Sequence, residues 1–243
     1  MNLAITGDRG LLGAALARVL GDAYSVRVAP EGDLCDETFA RQVVAGCQAL
    51  IDLAPLYPDL PASVGAQLVL DQATRGTYVL FQAAVAAGVE RVILGSTLAL
   101  LERYPPGWAV SEAWQPRPDV TDLSQLAAYL AEELARQFAL ARPLTVICLR
   151  LGEVVETLLF TSLVNPETAA AQPGGVHPMS ISWEDAGLAV RRALETPDLP
   201  SPFERLHILA DLPHGTYSAA KARRLLGWRP RDNLAHLWAQ RPT

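Results

Sequence analysis

"NLAITGDRGLLGAALARVLGD", residues 2–22, decides how the rest of the chain is read. Residues 2–6 form a short apolar strand, three glycines follow at Gly7, Gly10 and Gly13, and Leu12, Ala15, Leu16, Val19 and Leu20 then recur at helical spacing. A strand that turns through spaced glycines into a helix is suited to a dinucleotide. Gly7 permits the tight turn, Gly10 lets the backbone approach a pyrophosphate, and Gly13 lets the helix pack on its strand. Unpaired N–H groups and the helix dipole then favour phosphate oxygens. The alternative is a glycine-rich turn that holds no ligand. Against it stands the entropy that each glycine costs where nothing needs it.

Outward from this unit, strands and helices alternate. "YSVRVA" (24–29) reads as a strand, "DETFARQVVAG" (36–46) as a short helix capped by Asp36, and "CQALIDLA" (47–54) as a buried strand. "SVGAQLVLDQATRGTYVLFQAAVAAG" (63–88) reads as one long helix closed by Gly88, and "RVILGS" (91–96) as the next strand. A Pro-rich loop over 104–118 leads to a helix from 123 and the strand "LTVICLRLG" (144–152). Such alternation predicts an α/β fold, a Rossmann-type doubly wound parallel sheet. Beyond 152 the pattern weakens into a Pro/Gly-rich segment, with helices expected at 183–195 and 218–227. The expected organisation is therefore a dinucleotide-binding domain over 1–152 and a small C-terminal α/β substrate lobe over 153–243.

Composition narrows the function. The 243 residues are 50% hydrophobic and 19% charged, with a formal net charge of -6, and one large α/β unit of this size can bury an ample core. The acidic balance argues against nucleic acid, which needs a concentrated basic face; the basic run "KARRLLGWRPR" (221–231) is interleaved with Leu225, Leu226 and Trp228 and reads as an amphipathic helix end. Cys35, Cys47 and Cys148 show no metal-ligand spacing, so no metal is expected. Reduced thiols, a start directly on a strand and no apolar run of bilayer length together predict a cytoplasmic protein without signal peptide or membrane span.

A second motif lies past the second strand. Glu31 and Asp33 in "EGDLCD" (31–36) stand about twenty residues beyond the glycines, where an acid commonly bonds a ribose hydroxyl. Here the sequence resembles the extended short-chain dehydrogenase/reductases, the NAD-dependent epimerase/dehydratase family. "TGDRGLLG" (6–13) resembles that family's TGxxGxxG, and "GDLCD" its adenine-contacting GDLxD turn. "ALIDLAP" (49–55) resembles its "VIHLAA" strand, and "RGTYVLFQAAVAAGVERVILGST" (75–97) a long helix–strand stretch of the family. "VSEAWQPRP" (110–118) and "KARRLLGWRP" (221–230) resemble its "isEdxpxxP" loop and C-terminal signature. The resemblance implies NAD or NADP held by Gly7, Arg9, Gly10, Leu12, Gly13, Asp33, Leu34, Leu53, Ala54 and Pro55. It also implies a homodimer through two long helices, although a helix buried in a monomer has the same pattern. The second strand runs almost at once into "EGDLCD", leaving no room for a strand that many family members place between.

The family's chemistry uses a Ser or Thr with a YxxxK pair. A phenol near pKa 10 is a poor base at neutral pH unless a cation sits beside it. Thr97 matches the Ser/Thr position. Counting back from "AEELARQF" (131–138) and the strand ending at Arg150, the tyrosine column falls on Ser124 and the lysine column on Ala128. Taking Tyr129 as the family tyrosine instead puts Glu133 in the lysine column, and a carboxylate would work against the phenolate. Packing beside Leu126, Leu130 and Leu134 is the role that helical spacing gives Tyr129. Thr97, Ser124 and Tyr129 are thus the candidate catalytic residues of a degraded site. Tyr104 is a further proton donor to consider. Glu132 and Glu133 are expected on a solvated helix face with Arg136, and Trp183, Trp228 and Trp238 as anchors of the C-terminal lobe.

Three readings of function follow. One is an NAD(P)-dependent epimerase, dehydratase or reductase acting on a nucleotide sugar or similar hydroxy/keto substrate. Another is a non-catalytic dinucleotide-binding sensor or scaffold, and the third is a relative that has lost the cofactor as well. NAD would be favoured by Glu31 or Asp33 near the ribose, NADP by Arg9 or Arg27 near a 2′-phosphate. That Ala29 and Pro30, not an acid, end the second strand inclines the reading towards NADP tolerance.

Overall fold

The computed structural model describes residues 1–7, 11–55, 65–155 and 177–235. Its centre is a six-stranded, wholly parallel sheet of β1 (Asn2–Thr6), β2 (Ser25–Val28), β3 (Ala49–Asp52), β4 (Arg91–Thr97), β5 (Thr145–Leu151) and β8 (Phe203–Ile208), in the order β2-β1-β3-β4-β5-β8. β6 (Val154–Val155) and β7 (Ile181–Ser182) pair separately. The chain leaves β1 to one side for β2, then returns past it to β3 (registers Leu3↔Val26 and Leu3↔Ala49). Winding reverses at that point, so the connections leaving β1 and β3 run to opposite sides, the place where such sheets form a crevice beyond the strand ends. β2 is the exposed edge of the sheet and the chain passes directly from it towards α2 (Glu37–Val44), as its length predicted.

Both sheet faces are apolar, because alternate strand residues point to opposite sides. On β5, Ile147 and Leu149 join the core under α1 (Leu11–Leu20) and α6 (Trp183–Glu195), while Val146 and Cys148 join the one under α2, α4 (Thr77–Ala86) and α5 (Leu123–Ala141). α6 packs on α1 at Gly187, where a β-carbon would make ordinary contact with Val19 at 3.4 Å and the Ala15 backbone at 3.5 Å. α7 (Ala220–Leu226) closes on Gly227 in the left-handed region, and Trp228 behind it is fully buried, its indole N–H donating to the Asp185 carbonyl at 3.1 Å. Trp183 packs half-buried on the same core, whereas Trp238 lies outside the described residues. No helix among the described residues is long and apolar enough to cross a membrane.

Two elements differ from expectation. The long helix is broken into α3 (Ala66–Asp71) and α4 by a π turn, Gln72–Gly76. Thr74 Oγ1 donates back to the Leu70 carbonyl at 2.7 Å, and buried Gly76 lies against the side chains of Leu34 and Cys35. Single π turns of this kind often accompany functional contacts. The other is β8, "FERLHI". Its Glu204 and Arg205 hide its strand character in sequence, yet both are ion-paired inside the fold, to Lys221 and to the Glu132/Glu133 pair. Through β8 and α6 the residues after 152 complete the main sheet and one of its faces.

Candidate functional site

The β1–β3 crevice is built backbone to backbone. Gly7 sits at φ +75°, and a β-carbon on it would stand 2.1 Å from the Ala54 nitrogen and 2.6 Å from the Leu53 carbonyl carbon. Any other residue would be strained and would collide. The Leu53 N–H donates to the Thr6 carbonyl at 2.9 Å. Thr6 Oγ1 donates to Asp52 Oδ1 at 2.7 Å, and the Ala54 N–H reaches the same oxygen at 3.2 Å. Asp52 is fully buried, and its Oδ2 has no hydrogen-bond partner among the described residues. Burial pushes its carboxyl up to about 6, against the Thr6 and Ala54 bonds. Leu12 and Leu53 are buried, Gly13 lies half-buried at the start of α1, and Ala54 and Pro55 continue β3. Arg9 and Gly10 lie outside the described residues.

The acidic turn after β2 is tied to the π turn. Asp33 Oδ1 accepts the Cys35 N–H at 2.8 Å and Gln72 Nε2 at 2.6 Å. Partial burial works to raise its carboxyl, but these bonds outweigh it and hold Asp33 below the ordinary range. Leu34 is buried beside Gly76. Asp36 caps α2 as predicted, accepting from Thr38 and Phe39. Arg27 departs from expectation: its Nη2 is spent on the Val43 and Ala45 carbonyls and Cys47 Sγ, so it closes the end of α2 instead of facing a 2′-phosphate.

Helix α5 carries the remaining candidates. Asp122 caps it, accepting from Ser124 and Gln125. Glu132 is not solvated as expected but fully buried, and it accepts Ser96 Oγ at 2.6 Å, Arg150 Nε and Nη2 at 2.8 and 2.7 Å, and Arg205 Nε at 2.9 Å. Burial opposes its charge, yet the Arg150 bonds, Arg205 and Ser96 prevail and hold its carboxyl below the usual range. Periodicity gave no warning, because an acid on a helix reads as surface until its partners are known. Glu133 does pair with Arg136, at 3.1 Å. The Glu132–Arg150 contact joins the two anchors that set the register of this helix. Counted from it, Ser124 is exposed in the first turn and Ala128 is buried one turn on.

Thr97 ends β4 half-buried; its Oγ1 accepts the Ala99 N–H at 3.1 Å, capping a 3-10 turn over Leu98–Leu101. Tyr104 is taken up structurally. Its hydroxyl donates to the Gln115 carbonyl at 2.8 Å, Trp114 packs edge-on against the ring, and Arg117 lies 4.0 Å over it. Tyr129 is half-buried and its hydroxyl has no hydrogen-bond partner among the described residues. Two buried groups escaped sequence reading: Asp52, an acid closing the apolar strand "ALID", and His207 within charged β8. Burial, then Arg150, pushes the His207 imidazole down to about 3, so it is neutral.

A model of the NAD dependent epimerase/dehydratase family matches residues 3–155. The chain belongs to that family. Its cofactor is accordingly a nicotinamide dinucleotide, and Gly7, leaving β1 at positive φ where the winding of the sheet reverses, stands where such a fold takes one. Two proteins of Haloferax volcanii are similar along nearly their whole length. An L-arabinose 1-dehydrogenase (NAD(P)(+)) is 25% identical over 96% of this chain and 97% of its own, and an NAD-dependent glucose-6-phosphate dehydrogenase 24% identical over 95% and 93%. A uronate dehydrogenase variant from Agrobacterium tumefaciens, solved with NAD, superimposes with a TM-score of 0.75 at 22% identity, covering 96% of this chain and 85% of that one. At that identity the likeness is one of fold.

Proposed function

We propose that the protein transfers hydride between a nicotinamide dinucleotide and a sugar-type hydroxyl or carbonyl group, with a nucleotide sugar, a uronate or a free aldose as the substrate class. The observation that carries this reading is the crevice at the sheet's winding reversal, where Gly7 abuts Ala54 and Thr97 stands at the carboxyl end of β4. When bound, the dinucleotide supplies the hydride acceptor or donor. Gly7, Arg9, Gly10, Leu12 and Gly13 hold its pyrophosphate, Asp33 and Leu34 its adenosine end, and Leu53, Ala54 and Pro55 line its path. Thr97 accepts from Ala99 and keeps its hydroxyl hydrogen for a substrate oxygen. Ser124 and Tyr129 are the hydroxyls of α5 that can relay the proton. Neither has the family's lysine in the next turn, since Ala128 and Glu133 stand there.

Without that cation, a hydroxyl gives up its proton readily only in alkaline medium. Turnover is therefore slow at neutral pH and rises above it. The relatives support an enzyme, and they lend nothing to a sensor or scaffold. Leu68, Tyr78 and Leu140 remain exposed on α3, α4 and α5, which fits a homodimer through these helices; sedimentation would measure it. The functional test is absorbance of reduced dinucleotide with a panel of aldoses, uronates and sugar nucleotides from pH 7 to 10. Hydride transfer that weakens in Thr97→Ala supports the reading. Its absence throughout the panel, with dinucleotide bound, would refute it.

A further inference from the structure

Asp52 performs none of the tasks assigned above, yet it stands at their junction. It is the last residue of β3, fully buried, and its Oδ1 gathers Thr6 Oγ1 and the Ala54 N–H. Thr6 precedes the glycine turn and Ala54 is the residue against which Gly7 packs. One carboxylate thus ties together the two chain segments that close on the dinucleotide.

Oδ2 is buried without a hydrogen-bond partner among the described residues. From β1 the side chain faces Thr6, from the following chain Ala54, and its register neighbour on β4 is Leu94. None of these is charged, and no titratable side chain among the described residues acts on Asp52. An ionised carboxylate so placed has two donors on one oxygen and no cation beside it among the described residues. A pyrophosphate arriving at Gly7 brings further negative charge, which disfavours the ionised form again.

We infer that Asp52 is a positioning residue that couples the glycine turn to the β3 loop, and that dinucleotide binding draws a proton onto its carboxyl. The inference rests on the assignment of the crevice to the dinucleotide. By linkage, a group that gains a proton on binding makes binding tighter as pH falls, and the effect is reciprocal. The free carboxyl titrates at about 6, so the change falls between about pH 5 and 8. A displacement of one unit on binding makes the affinities at the two ends differ by about tenfold. Asparagine keeps the shape and the accepting oxygen but cannot ionise.

The experiment is calorimetric titration of NAD⁺ and NADP⁺ into wild type and Asp52→Asn across that range, with wild type repeated at pH 6.5 in two buffers of different ionisation enthalpy. The inference expects about tenfold tightening in wild type towards low pH, a flat profile in Asp52→Asn, and net proton uptake at pH 6.5. Binding with a flat wild-type profile and no proton uptake overturns it and leaves the dinucleotide assignment standing. An equal slope in both proteins also overturns it, because the proton then goes elsewhere. No binding of either dinucleotide at any pH removes the assignment and the inference together. The two-buffer measurement needs no variant, so it holds even where Asp52→Asn folds poorly.

Discussion

Glu132→Ala tests the fold's buried charge network. Glu132 and its partner Arg150 both have side chains with 0% exposure, and the carboxylate takes four hydrogen bonds from Ser96, Arg150 and Arg205. Truncation leaves the Arg150 guanidinium in the core without its hydrogen-bonded counter-charge. Arg205, at 19% exposure, keeps Glu133. Removing one partner of a buried pair costs about 3–5 kcal/mol, whereas exchanging both for apolar groups of similar volume can be neutral. Glu132→Ala should therefore lose about 3–5 kcal/mol and Glu132→Leu/Arg150→Met should recover most of it. Urea unfolding, followed by the fluorescence of buried Trp228, measures both. The sign with pH is fixed as well. The folded-state carboxyl lies below its ordinary value, so its contribution is present above the unfolded pKa and lost as pH falls through the folded one. A loss under about 1 kcal/mol, the range of an exposed pair, or a double variant no better than the single one, would refute the reasoning.

Gly7→Ala forces a β-carbon onto the Ala54 nitrogen at φ +75°; it should destabilise the protein by about 1–3 kcal/mol and weaken dinucleotide binding far more than it weakens the fold, as fluorescence titration would show. Burial raises the Asp52 carboxyl from its ordinary 3.8 to about 6. The folded state therefore holds the extra proton, and stability falls as pH rises from about 4 to 6, by about 3 kcal/mol relative to Asp52→Asn in paired urea titrations. Thr97→Ala should lower kcat by roughly tenfold to a hundredfold with dinucleotide affinity unchanged, measured by steady-state kinetics beside calorimetry. Tyr129→Phe should leave the rise of rate with pH in place if Tyr129 serves packing; loss of that rise would make it the proton relay.

Much of the sheet was legible because β1, β3, β4 and β5 are apolar runs between capped helices, and the glycine turn fixed where the winding begins. β8 was not, since Glu204 and Arg205 look like surface charges until Lys221 and Glu132 are seen to meet them. The same reason hid Glu132: its partners lie 18 and 73 residues away, a separation no helical periodicity reports. The break at Gln72–Gly76 was equally silent, since its contacts with the 33–35 turn lie about forty residues away in sequence. At the site, glycine and acid spacing pointed to the crevice proposed for the dinucleotide, while Asp52 passed as the end of a strand. The tyrosine and lysine columns could be assigned to Ser124 and Ala128 because "AEEL" and Arg150 serve to count from, and the Glu132–Arg150 bonds join those two anchors in space.

The central claim is that the crevice between β1 and β3 holds a nicotinamide dinucleotide. Thermal unfolding with saturating NAD⁺, NADH, NADP⁺ and NADPH tests it most directly. A ligand at a hundred times its Kd adds about 2.7 kcal/mol, which for a chain of this length raises Tm by about 5–11 °C. Tm should rise by this amount with at least one of the four, and not in Gly7→Ala. Unchanged Tm with all four would contradict it.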